Sequence, residues 1–175
     1  MTSMSPPSQG RSLPSYDISG LNILILEKHL LMRNLMKQVF HTFKVSSVYI
    51  TDDPLEAYES ALQTTPDLIL SDWSHDLDGI DFLHRMRLSA DSPDPFVPII
   101  VVTAKSTLKN VFEARDAGMT EFLAKPVSAQ TIYNRICATI EQNRPFVRTN
   151  SFFGPDRRRR KGTFGGPERR RDMAA

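Results

Sequence analysis

Short, nearly unbroken apolar runs alternate along this chain with longer stretches in which apolar residues recur every three or four positions. Asn22 to Glu27 (NILILE) is too uniformly apolar for a half-exposed strand and reads as a buried parallel one. Leu31, Leu35, Val39 and Phe43 then fall at helical spacing within Leu30 to Phe43. Val48 to Thr51 predicts a second strand, and Asp53-Pro54 opens the next helix with an N-cap acid and a first-turn proline. Asp67 to Asp72 (DLILSD) is a third strand, and a loop through Asp78-Gly79 leads to a helix ending near Leu88. After the proline-containing loop Asp91 to Pro95, Pro98 to Thr103 (PIIVVT) is a fourth strand. A helix to Ala117 is stopped by Gly118, Thr120 to Ala124 is a fifth strand, and Ser128 caps a last helix reaching Gln142. Five strand–helix units predict an α/β fold: an open, doubly wound, five-stranded parallel sheet with its site at the carboxyl ends of the strands.

The ends of the chain do not share this pattern. Residues 1–20 are rich in Ser and Pro, read as a disordered segment, and lack the apolar stretch of a secretory signal. Residues 21–143 form the folded domain, and residues 144–175 form an arginine-rich tail, without apolar periodicity for a second core and expected to be largely disordered when free. Charge divides at the same place. The whole chain carries +2, but the tail holds nine Arg and one Lys against Asp156, Glu168 and Asp172, so the tail carries +7 and the rest −5. A basic tail on an acidic body points to an anionic ligand. No apolar run approaches the roughly 18 residues of a membrane span, and cytoplasmic residence is expected. Cys137 stands alone, which leaves no disulfide framework and no thiolate cluster.

Three predicted strands end in polar groups where the fold places a site: Glu27, Asp72 and Thr103. The fifth leads into Lys125-Pro126. A carboxylate nucleophile forms an aspartyl phosphate; a divalent cation and a lysine neutralise the developing charge, and a hydroxyl bonds the phosphoryl oxygens. The four histidines His29, His41, His75 and His84 show no ligand spacing and read as surface or helix-end residues. Trp73 reads as loop packing, and Cys137 as a small buried side chain. No hydrolytic or redox triad is visible, so an independent enzyme is not expected.

Ser71-Asp72-Trp73, Leu77-Asp78-Gly79, Val101 to Ala104 and Ala124-Lys125-Pro126 occur in the order found in CheY-like receiver domains of bacterial response regulators. The resemblance covers roughly Leu21 to Asn143. It implies a flavodoxin-like sheet, Asp72 as phosphoacceptor, Thr103 as switch hydroxyl, Phe122 as the aromatic switch residue and Lys125 as the pocket lysine. It also implies a magnesium ion held by Glu27, Asp72 and the Ser74 carbonyl, and a histidine kinase as partner. Receivers normally carry two acids after the first strand, whereas here Glu27 is followed by Lys28. An ammonium at that place pairs with Asp72 and weakens metal binding, since magnesium requires hard oxygen ligands in octahedral geometry. A phosphorylated receiver and a receiver fold that no longer turns over phosphate both stay open.

The tail contains an internal repeat. Gly154-Pro155-Asp156 and three arginines recur as Gly166-Pro167-Glu168 and three arginines, twelve residues on, each copy preceded by a phenylalanine, Phe153 or Phe164. An arginine fork bonds the O6 and N7 edge of guanine at about 1–3 kcal/mol per good pair, a carboxylate accepts from the opposite edge, and guanidinium planes stack on bases. A simple polyanion binder has no use for the embedded acids. Arg144-x-x-x-Arg148 followed by Asn150-Ser151-x-x-Gly154 resembles, one residue out of register, the cyclic di-GMP signature of PilZ domains.

Receiver and tail together resemble the Cle group of CheY-like regulators. That resemblance implies a cyclic di-GMP effector acting at the flagellar motor switch, with recruitment to the flagellated pole, to tune motility and surface attachment. By position the ligand set is Arg144, Arg148, Asn150, Ser151, Asp156, Arg157 and Arg159, with Glu168 to Arg171 as further contributors. Ordering fifteen residues costs roughly 15–30 kcal/mol of backbone entropy. The expectation is therefore a tail that folds against the receiver on binding ligand, with Phe146, Val147, Phe152 and Phe153 docking. DNA and membrane insertion are not expected. The alternative is a phosphorylation-dependent single-domain regulator whose tail is a non-specific charge run.

Overall fold

The computed structural model describes residues 16–74, 77, 79–105, 107–142, 144–149 and 152–157. Asn150, Ser151 and Arg159 of the expected ligand set, with His75, Asp78 and the second repeat, lie outside the described residues.

Five parallel strands form one sheet: β1 (Asn22–Leu26), β2 (Ser47–Thr51), β3 (Leu68–Asp72), β4 (Ile99–Thr103) and β5 (Glu121–Ala124), in the order β2-β1-β3-β4-β5. The connecting helices are α1 (Leu30–Thr42), α2 (Pro54–Thr64), α3 (Gly79–Leu88) and α4 (Leu108–Asp116), and α5 (Ala129–Glu141) follows β5. Each strand side chain points to the face opposite its neighbour's, so a sheet covered on both sides needs an unbroken apolar run. Leu24, Leu26, Ile69, Ile99 and Val101 enter the core that includes α2, α3 and α4 residues. Ile23, Ile25, Leu70, Ile100 and Val102 enter the opposite core with α1 and α5. The doubly wound fold is thus the one read from the runs themselves.

The expected caps form. The Asp53 carboxylate accepts from Leu55 N at 2.7 Å and Glu56 N at 3.1 Å, with Pro54 at the first helical position. Ser128 and Thr131 make a reciprocal capping box on α5. Beyond α4, Gly118 takes φ +97°, the left-handed conformation that ends a helix.

The two ends of the chain differ from expectation. Ile18 is buried in the α1/α5 core, and Tyr16 exchanges hydrogen bonds with the Tyr133 hydroxyl at 2.8 and 3.0 Å. The packed body therefore begins before Leu21, because two apolar side chains in an otherwise polar leader find a place on α5. In the tail, β6 (Phe146–Arg148) and β7 (Phe153–Pro155) form an antiparallel hairpin docked on the receiver, where a free chain is expected. Phe146 and Phe153 form a three-ring cluster with Phe96, centroids 5.1–5.5 Å apart, and Phe152 and Phe153 are buried. That aromatic burial offsets ordering entropy. Among the described residues no helix is long and apolar enough to cross a membrane.

Candidate functional site

Asp72 ends β3 and Thr103 ends β4, and both are buried. Glu27 follows β1 and is wholly buried, while Lys125 follows β5. The Lys125 ammonium bridges the two acids, donating to Glu27 Oε2 at 2.7 Å and Asp72 Oδ1 at 2.8 Å. Two carboxylates at this depth require such a partner, since an unpaired buried charge is costly. Thr103 Oγ1 donates to the Trp73 carbonyl and accepts from Lys105 N at 2.9 Å, which seats the hydroxyl beside the β3 terminus. Phe122 is partly buried against the α2–α4 core. Gly79 explains the Leu-Asp-Gly motif: a Cβ there would lie 2.0 Å from the Asp72 carbonyl, so the start of α3 approaches the β3 end only through glycine.

Lys28 does not pair with Asp72. Its side chain is exposed at the start of the β1–α1 turn, and the ammonium that meets Asp72 belongs to Lys125. The Ser74 carbonyl, the expected backbone ligand for magnesium, accepts from Lys105 Nζ at 3.3 Å. The same ammonium lies 5.2 Å from the Trp73 ring centroid. His29 also departs from its reading. It is the N-cap residue of α1, as a helix-end role requires, yet its Nδ1 lies 3.2 Å from Glu27 Oε1. Glu27, His29 and Asp72 each place a ligand atom within 4.8 Å of the others. An octahedral, all-oxygen magnesium site does not fit this donor set: the second acid is replaced, the carbonyl is held by one lysine, and two carboxylate oxygens are held by another.

The second cluster lies at the opposite end of the sheet. Arg144 enters it as a half-buried strut. Its guanidinium donates to the Asp156 carbonyl at 3.1 Å and to the Thr120 carbonyl, with Glu121 Oε1 3.8 Å away. Beneath the hairpin, buried Arg87 on α3 donates Nε to the Gly118 carbonyl at 3.0 Å and Nη1 to the Pro95 carbonyl at 2.9 Å. Its carbon Cζ lies 5.3 Å from the Phe146 centroid, and burial pushes its pKa down to about 9. Arg148 stacks on Phe153 with Cζ 4.4 Å from the centroid, and Arg157 stacks on Phe152 at 4.0 Å. Arg157 also reaches Asp116 at 3.4 Å. The hairpin thus joins Arg148, Asp156 and Arg157 of the expected set on one short element.

Sequence reasoning passed over Arg87, Phe96 and Lys105, and read His29 only as a surface or helix-end residue. Arg87 carried no signal beyond a basic residue in a helix's last turn, and Phe96 sat in a loop. Lys105 and His29 gain significance only when β3 is placed beside the β1 and β4 ends.

The chain matches the response regulator receiver domain over residues 23–137. It belongs to that family. The CheY-3 chemotaxis protein of Vibrio cholerae is 26% identical over 124 residues, covering 70% of this chain and 94% of that one. The chemotaxis protein CheY of Pseudomonas aeruginosa is 27% identical over 117 residues, covering 66% and 93%. The receiver domain of the sensor histidine kinase PA1611 of P. aeruginosa PAO1, solved with magnesium coordinated in its active-site cleft, is 26% identical. Its TM-score is 0.57, over 68% of this chain and 95% of that one. The protein is therefore a CheY-like receiver, with the aspartate pocket of the family and a tail hairpin added at the far end of the sheet.

Proposed function

We propose that this receiver is a cyclic di-GMP effector whose tail, residues 144–175, reads guanine and presents the result to the flagellar motor switch. The observation that carries the reading is the pair of guanidinium-on-phenyl stacks, Arg148 on Phe153 and Arg157 on Phe152. Each buried ring holds a guanidinium flat by one face. Both arginines are exposed and thereby held for stacking on a base and for bidentate bonds to O6 and N7, a guanine edge taking the place of the Asp116 contact that Arg157 makes. Arg144 serves this reading as the strut that ties the hairpin to β5, while Asp156, Asn150, Ser151 and Arg159 complete the ligand set. Two forks suit a ligand with two guanines, and the ordered hairpin lowers the entropy that binding must overcome.

Docking beside α4 and β5 gives a route to output. By resemblance, α4, β5 and α5 form the motor-facing surface, and ligand that firms the hairpin changes the edge of that surface. The test is isothermal calorimetry of the full chain: Arg157→Ala or Asp156→Ala weakens cyclic di-GMP binding at least tenfold, while Asp72→Ala leaves it within twofold. Equal losses from all three would defeat the reading.

A second reading, phosphorylation of Asp72 by a histidine kinase, is favoured by the Lys125–Asp72 contact and the seat of Thr103. Its test is mass spectrometry after incubation with acetyl phosphate, in which a phosphoryl adduct absent from Asp72→Asn supports it.

A further inference from the structure

We infer that an apolar cleft at the amino end of the sheet is the seat of the second tail repeat, with Phe164 as its anchor. Leu21, Leu68, Pro98, Ile136 and Ile140 wall an open cleft of about 220 Å³ beside the last turns of α5. An apolar cavity of about 150 Å³ holds a benzene ring, so this space takes a phenyl side chain. Ile140 is 44% exposed in spite of its apolar surroundings. The Thr139 hydroxyl, also on the wall, donates back to the Arg135 carbonyl at 2.9 Å and makes no polar demand on an occupant.

The first repeat shows how such a unit docks. Phe153 is buried against Phe96 and Phe146, and Gly154 lies bare against Gly118. The second repeat keeps the order of phenylalanine, glycine, proline, acid and three arginines, with one extra glycine at Gly165. The cleft adjoins the hairpin, since Pro98 and Thr139 line both it and the smaller hollow bordered by Phe146 and Pro155. Reach is sufficient. Arg144 ties the first repeat to Thr120 before β5, and Leu68 of β3 lies two strands away, roughly 10 Å. Phe164 is seven residues past Arg157, a length of chain that spans up to about 23–25 Å. Charge agrees: the Asp67 carboxylate lines the cleft, and Arg169, Arg170 and Arg171 follow the anchor on a tail of +7 facing a body of −5. The tether also favours this occupant over a separate molecule, because a short linker presents its end at an effective concentration on the order of millimolar. Docking there sets both acid–arginine copies at one end of the sheet.

The experiment is NMR of the full chain, F164A and I140D, each without dinucleotide and at two protein concentrations. In the parent, the Ile136 and Ile140 methyls are expected upfield through the ring current of Phe164, at the same position at both concentrations. F164A is expected to lose that shift and to leave the methyls of Ile100 and Val102, deeper in the same core, in place. I140D alters an exposed position and keeps the fold, as circular dichroism checks; it is expected to move the Phe164 ring resonances to free-chain values. Cleft methyls identical in the parent and F164A, or Phe164 resonances unmoved by I140D, would overturn the assignment. So would an upfield shift that grows with protein concentration, which gives the cleft to a second copy of the chain. No dinucleotide is present in these samples, so failure here and failure of the cyclic di-GMP reading are separate results.

Discussion

Gly154 of the tail lies against Gly118 of the receiver so closely that a Cβ on Gly154 would come within 2.7 Å of the Gly118 Cα. A Cβ on Gly118 would in turn lie 2.6 Å from the Phe153 carbonyl. Two backbones meet without side chains between them, and this contact lets Phe152 and Phe153 reach their buried positions.

Gly154→Ala therefore pries the hairpin from the receiver. Overpacking of this kind costs about 1–3 kcal/mol. The expected outcome is a lower unfolding midpoint in urea and faster amide exchange at Phe153. Cyclic di-GMP binding weakens as well, because both arginine stacks rest on the displaced rings. An unchanged exchange pattern would mean that the hairpin does not depend on the glycine contact.

Lys125 and Lys28 are predicted to behave oppositely. Lys125→Ala strands two buried carboxylates, and removing one partner of a buried ion pair costs about 3–5 kcal/mol. Lys28 is exposed, so Lys28→Ala changes stability by less than about 0.5 kcal/mol. Chemical denaturation of the two variants checks both values. A similar loss in each would place Lys28 in the pocket after all.

Acid sensitivity is expected from Glu56 on α2. Hydroxyl donation from Thr51 and Tyr49 holds its pKa below the usual glutamate range. Below that range the unfolded chain binds the proton more readily than the folded one. The stabilisation is therefore complete above the ordinary carboxylate pKa and is lost as pH falls through the depressed one. Glu56→Gln should flatten the acid limb of the Tm–pH profile and leave its neutral plateau shape unchanged. An acid limb identical to the parent's would contradict the assignment.

Much of the receiver was legible because its signals are local. Asn22 to Glu27, Asp67 to Asp72 and Pro98 to Thr103 are apolar runs of strand length, each bordered by a cap or a turn. The observed strands fall within them, one residue shorter at an end. The aspartate pocket followed from strand ends. What escaped depends on contacts between distant segments. The hairpin's phenylalanines gain their burial from Phe96 and the bare backbone at Gly118, and neither marks itself in sequence. Likewise, Lys28 sits next to Glu27 in the chain, but the turn directs it outward and Lys125 arrives from β5 in its place.

Separation of the two sites follows from the same topology. Asp72 and Thr103 lie at the carboxyl ends of their strands, whereas Thr120, which receives Arg144, precedes the amino end of β5. One strand length, roughly 13–17 Å for a five-residue strand, lies between the levels. Tail ligand and pocket chemistry are thus predicted to be separable by mutation.

The central claim is that ordered arginine stacks read guanine and do more than attract negative charge. Its most direct measurement is calorimetry of the full chain with cyclic di-GMP and cyclic di-AMP at low and moderate salt. Guanine readout predicts that cyclic di-GMP binding persists at moderate salt and that cyclic di-AMP is rejected at both. Equal binding of the two dinucleotides, fading together as salt rises, would contradict it.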